Sequence, residues 1–142
     1  MPEEAIRVRH FEREERRVRA MLNPHIARII GWMCVLAILA LSLAPGSDRP
    51  HTGYSGGTEH IFAYAGTGFF FSLGYRPLRE RLTIWISLAL LSGLLELTQT
   101  QIPGRSARLI DAIVSTTGLT TGFIIGSVFL VAIAKRSFGD NA

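Results

Sequence analysis

The chain has one cysteine, Cys34, inside an apolar run, so no disulfide can form within a single copy and the thiol is read as filling space. Charge is scarce too: 18% of the residues are Asp, Glu, Lys or Arg against 48% hydrophobic, on the greasy side of a soluble average. The local absences say more. No charged residue occurs from Ile29 to Ala44 or from His60 to Tyr75, only Glu96 occurs from Leu82 to Thr98, and only Asp111 from Ile110 to Ala134. These runs also lack the polar stripe at 3.6-residue spacing that a soluble helix keeps for water, which makes a soluble four-helix domain the weaker reading. No HExxH or CxxC spacing is present. Although Glu59, His60, Glu96 and Asp111 carry suitable donor atoms, no metal and no cofactor are expected from the linear pattern. Nor is a serine or Cys34 expected to act as a nucleophile. The net charge of +4 raises nucleic acid as a partner, but the basic residues flank apolar runs without a groove-reading pattern, so none is expected.

What is present is four apolar runs, each near the roughly 20 residues a bilayer core requires. They run from Ile29 to Ala44, from His60 to Tyr75, from Leu82 to about Thr98 and from about Ile110 to Ala134. The fold class expected is all-α: a polytopic membrane protein with four transmembrane helices in a bundle. Residues 1–25 form a charged cytoplasmic segment, 26–136 the membrane domain and 137–142 a tail. Ser42, Leu43 and Ala44 resemble a signal-peptide cleavage site, but the charged region before them is too long for an n-region, so the first span is read as retained. Twelve Lys and Arg residues fall on the side of the termini and the 76–81 loop, and three on the other. The positive-inside rule then puts both termini in the cytoplasm and the loops at 45–59 and 98–109 outside a cytoplasmic membrane. In the first twenty residues, Glu3 with Arg7, Glu12 with Arg16 and Glu15 with Arg19 are helix neighbours, and Val8, Phe11, Val18 and Leu22 form a broken apolar stripe.

The polar residues gather at one height. Glu96 comes near the outer end of the third span, on one side with Ser92, Ala89 and Gly93, and Gln99 follows it by three residues. Ile102-Pro103-Gly104-Arg105 reads as a tight turn, because Pro fixes one dihedral and Gly frees the next, and it carries Arg105 over the helix ends. Asp111 sits in the first turn of the fourth span, where the helix dipole favours a negative charge, on one face with Ser115, Gly118 and Gly122. Glu59, His60 and Tyr64 open the second span at that same level. The expected pocket is therefore Glu96, Gln99, Arg105, Asp111, His60 and Tyr64, with Gly118, Gly122 and Gly126 as a helix-packing face. The plainer alternative is architecture, with Arg105 bridging Glu96 and Asp111 to pin the loop.

In combination, HIFAY at 60–64, Glu96 with Gln99, Pro103-Gly104-Arg105, Asp111 and the glycines at 118 and 122 resemble the VanZ-like family of small bacterial membrane proteins, over about residues 55 to 126. Two positions depart from that family's pattern: Gly56 and Gly57 stand where it often has an acidic-basic pair, and Ser115 where it has an asparagine. The resemblance implies a cytoplasmic-membrane protein of the cell envelope with a connection to glycopeptide (teicoplanin) resistance, and implies no reaction. Three functions compete. The first is a non-enzymatic protein whose outer pocket binds an anionic lipid or a lipid-linked wall precursor through Arg105. The second is an intramembrane enzyme using Glu96 or Asp111 as general base and His60 as general acid. The third is a small subunit docking on a membrane protein partner through its glycine face.

Overall fold

The structure, a computed structural model, describes residues 23–48, 53, 55–104 and 108–139, the last six of these as helical backbone only. Of the charged segment expected at 1–25, residues 1–22 lie outside the described residues, as does Arg105, and Asn23, Pro24 and His25 open the first helix. Four helices make up the described chain: α1 from Pro24 to Leu43, α2 from Gly56 to Gly74, α3 from Leu78 to Gln99 and α4 from Leu109 to Gly139. A short 3-10 turn, Gly46–Asp48, follows α1, and no strand occurs among the described residues.

Apolarity located each helix and misjudged its ends, for physical reasons. α1 starts where Asn23 accepts a hydrogen bond from the His25 amide at 3.0 Å with Pro24 at the first position, a favoured helix opening. α2 begins four residues before His60, because Ser55 caps it and polar Gly56 to Glu59 are already helical. α3 begins four residues before Leu82, at Leu78: the charged residues Arg79, Glu80 and Arg81 form its first turn and do not sit in a loop. Three of the helices, α1, α3 and α4, are long and apolar enough to cross a membrane. The fourth, α2, is not among them, since Gly, Thr, Glu and His dilute its four phenylalanines. The expectation of four apolar spans is thus met in three.

α2 is instead the most enclosed helix. It lies along α4, with α1 on its other flank, and α3 packs mainly on α4. Close approach explains the sequence of the α2–α4 seam. A methyl group placed at Gly118 would come 2.5 Å from the Ile61 carbonyl oxygen, and one at Gly122 would collide with the Ala65 carbonyl and lie 2.8 Å from the Phe69 amide. Gly126 faces Ser72, and Gly68 of α2 returns the arrangement by facing the Leu119 carbonyl. Backbones this near gain dispersion contacts that lipid cannot replace, which is how small residues hold helices together in a bilayer. Elsewhere the core is ordinary: Val35, Ile38, Tyr64, Phe71, Leu88, Leu95 and Leu119 form one buried cluster. Phe71 is covered by Trp32 in an edge-on contact with centroids 5.3 Å apart.

The distribution of polarity is inverted relative to a protein dissolved in water. Ser42, Thr67, Ser72, Ser92, Glu96, Gln99 and Ser115 are buried, while Ile29, Met33, Leu36, Phe62, Leu90, Leu94, Ile113, Ile124 and Val128 are exposed. An apolar surface that runs over α1, α3 and α4 far exceeds what a soluble monomer leaves uncovered. Lipid is the solvent that suits it.

Candidate functional site

The buried polar residues concentrate at the end of the bundle where α2 and α4 begin and α3 finishes. Glu96, near the end of α3, is 4% exposed. Its Oε2 accepts a hydrogen bond from the Arg108 amide, at the threshold of α4, at 3.0 Å. A carboxylate there satisfies one of the free amides of the helix start and is favoured by the dipole. Its other oxygen, Oε1, points to His60 Nε2 at 4.0 Å, beyond hydrogen-bond reach. His60 reaches this position because α2 starts early, placing the ring more than one turn inside the helix. On its other side, His60 Nδ1 and the buried Ser115 hydroxyl lie 3.3 Å apart. Asp111, three residues into α4, completes the group. Donor atoms of His60, Glu96 and Asp111 all lie within 4.8 Å of one another.

Tyr64, one turn beyond His60 with its ring roughly parallel to the imidazole, is 2% exposed and also partners Ser115. Ser115 therefore connects two residues of α2, one serving the site and the other the core. Gly57 borders the group: a methyl built there would meet Asp111 Oδ1 at 3.7 Å, an ordinary contact, so glycine leaves this flank of Asp111 thinly covered.

Of the six residues expected to share a pocket, His60, Tyr64, Glu96 and Asp111 are brought together. Gln99 is buried but turns to α1, donating from Nε2 to the Ser42 carbonyl at 3.2 Å, and so ties helices together at the edge of the group. Arg105 lies outside the described residues. The turn before it has Gly104 in the left-handed region at φ 75°, and the Gly46 amide donates to the Pro103 carbonyl at 3.3 Å, so α1 is fastened to the α3–α4 turn. Gly118, Gly122 and Gly126 face α2, which leaves them no free surface for another protein. A methyl built at Gly93 meets nothing within 4 Å among the described residues, so Gly93 is not a packing contact among them.

Two arrangements look like catalysis and do not hold up. Ser115, His60 and Glu96 stand in the order hydroxyl, imidazole, carboxylate, but Ser115 is 1% exposed and the imidazole-to-carboxylate gap is 4.0 Å. A nucleophile must reach its substrate, and this hydroxyl cannot. Gly53-Tyr54-Ser55-Gly56-Gly57 has the spacing GxSxG, which the expectation of no nucleophilic serine overlooked. That spacing marks a nucleophile only on a strand-to-helix elbow. Here no strand is present among the described residues, and the Ser55 hydroxyl caps α2, 3.4 Å from the Thr58 amide and 2.9 Å from its hydroxyl.

The sequence reading missed a second polar layer at the opposite end. Arg81 donates from Nε to the Tyr75 carbonyl at 2.7 Å, from one terminal nitrogen to the Ser72 carbonyl at 2.6 Å and from the other to the Ser127 hydroxyl at 2.9 Å. Arg28 donates to the Gly74 carbonyl at 2.8 Å and lies 4.5 Å from the Tyr75 ring centre. These arginines finish the end of α2, where carbonyls lack helical partners. They read as loop charge in the sequence, and only the helix register reveals their targets.

No protein-family model, curated protein or solved structure matches this chain. The chemistry of the site is therefore read from its own side chains: two carboxylates and one imidazole, drawn from three helices, at the margin of an apolar bundle.

Proposed function

We propose that all four helices cross a bacterial cytoplasmic membrane with both termini inside, and that the layer around His60, Glu96 and Asp111 lies near the outer surface, where it binds the headgroup of an anionic lipid or lipid-linked wall precursor. The observation that carries this reading is the convergence of ionisable groups from three helices, Glu96 buried and His60 and Asp111 half-buried, at one end of a bundle with apolar flanks. Such groups are costly at the edge of hydrocarbon and are retained where they serve a purpose. α2 crosses in company: its Gly68 faces α4, Ser72 meets Gly126 of α4 and Gly74 meets Arg28 of α1, so it requires less apolar character than a solitary span. Arg28, Arg76, Arg79 and Arg81 cluster at the opposite end, which fits a cytoplasmic face there. In this reading Arg105, three residues before the Arg108 amide that Glu96 caps, supplies the guanidinium for phosphate or carboxylate. The VanZ-like resemblance adds an envelope setting and the link to teicoplanin resistance.

Native mass spectrometry of the detergent-extracted protein tests the reading. Wild type should carry a lipid that Arg105→Ala loses; a wild type that carries none defeats it. The approach of His60 Nε2 to Glu96 Oε1 favours a second reading, proton transfer on a lipid-linked headgroup. Glu96→Gln keeps shape and hydrogen bonding but removes a base, so retained binding with lost turnover would select the enzyme.

A further inference from the structure

An anionic ligand and two carboxylates make poor neighbours, and the geometry suggests what reconciles them. We propose that His60, Glu96 and Asp111 ligate one divalent first-row transition-metal ion, Zn²⁺ foremost, at the outer end of the bundle. The inference deepens the headgroup reading, since the ion supplies positive charge at the site, and it rests on four observations independent of any lipid.

First, the donors come from three different helices, one atom each, within 4.8 Å of one another. Metal–ligand bonds of about 2.0–2.2 Å put donors about 3.4 Å apart around a tetrahedral ion. Side-chain rotations that bring the donors closer by up to about 1.4 Å close the gap. Second, Glu96 is 96% buried, and among the described residues its Oε1 takes no hydrogen bond; His60 Nε2 stands 4.0 Å from it. A carboxylate oxygen out of water and short of a partner is a strong acceptor for a cation. Third, His60 is prepared as a ligand. Its Nδ1 is held by the Ser115 hydroxyl at 3.3 Å, and an outer partner of this kind fixes the ring and leaves Nε2 directed to a metal. Fourth, Glu96 Oε2 is occupied by the Arg108 amide, which orients the carboxylate by the same logic.

The donor set of one imidazole and two carboxylates balances a divalent charge and suits Zn²⁺ or Mn²⁺, with Zn²⁺ ahead in the usual affinity order. Three protein ligands leave a fourth position open, as in sites where a metal meets its substrate. On the Asp111 side the wall is thin at Gly57, and a headgroup phosphate or water can occupy that position. The absence of HExxH or CxxC spacing gave no reason to expect a metal. That test fails here because the donors come from separate helices, and the site replaces the earlier expectation.

The test uses the full chain in detergent, tag removed, stripped with a chelator and titrated with Zn²⁺ by calorimetry, with Co²⁺ absorption as a reporter of ligand type. Wild type should bind one equivalent of Zn²⁺. Asp111→Asn and His60→Asn should each weaken binding by at least about 100-fold at unchanged helicity and elution volume. Ser115→Ala should weaken it by about 10- to 100-fold, as loss of an outer partner does, and His60→Asn should alter the Co²⁺ spectrum. Folded wild type that binds no Zn²⁺ or Mn²⁺ at 100-fold excess overturns the proposal, as does undiminished binding in both ligand variants. Lipid content measured on the same samples separates the two readings: metal without lipid sustains the ion site and removes the headgroup, and lipid without metal does the reverse.

Discussion

The two ends of the bundle both bury polar groups, yet they leave different remainders. At the Arg81 end the side chains of Arg28 and Arg81 donate to carbonyls and a hydroxyl at 2.6 to 2.9 Å, and most of the acceptors belong to the last residues of α2 and the turn that follows. Little capacity is left over, and the result is a cap. At the Glu96 end one oxygen caps α4 in the same way, but the second oxygen, the imidazole Nε2 and the Asp111 carboxylate face one another across gaps. The lesson is that burial of charge alone does not distinguish a site from a fastening. What does is whether the bonding capacity is used up.

Four substitutions break or sharpen that contrast, and their expected effects descend. Gly122→Ile forces a branched side chain into the α2 backbone, where no rotamer escapes the Ala65 carbonyl. It should cost more than about 3 kcal/mol and abolish both ends together, visible as loss of a monodisperse peak in detergent. Arg81→Met strips the end of α2 of its donors while keeping an apolar stem. It should destabilise by about 2–3 kcal/mol through unsatisfied carbonyls, read as a lower melting temperature, with metal and lipid content per folded chain unchanged. Glu96→Gln retains an acceptor for the Arg108 amide, so its melting temperature should fall by no more than about 1 kcal/mol equivalent, whereas ion binding drops steeply. Asp111→Asn should be the mildest on stability, within about 0.5 kcal/mol, and still lose the ion. Equal stability losses in Arg81→Met and Asp111→Asn, with no functional difference, would erase the contrast.

Much of this is legible in the sequence itself. The charge-free runs located the helices because lipid imposes one demand, apolarity, on whatever touches it. The meeting of Glu96, Asp111 and His60 was legible because a short turn after α3 leaves Glu96 and Asp111 little choice of height. That Gln99 turns to the Ser42 carbonyl was not legible, because its direction depends on how α1 sits beside α3, and local sequence does not encode that register. α2 was read as a short lipid-crossing span since periodicity cannot tell a helix facing lipid from one surrounded by helices. Arg81 was read as a topological signal for a like reason: its three acceptors lie on α2, on the turn that follows it and on α4. The glycines were read as a packing face, but whether their partner would be another chain or α2 lay beyond the sequence.

The glycine-lined seam between α2 and α4 bears on biogenesis. If α2 crosses the bilayer as proposed, it leaves the ribosome tens of residues before the helix that shelters it, with Thr67, Gly68 and Ser72 lacking their eventual neighbour. A nascent chain halted ahead of Leu109 should hold α2 only loosely in the insertion machinery, and the arrival of α4 should draw it into lipid. Topology would then be decided at the end of synthesis and not at its start.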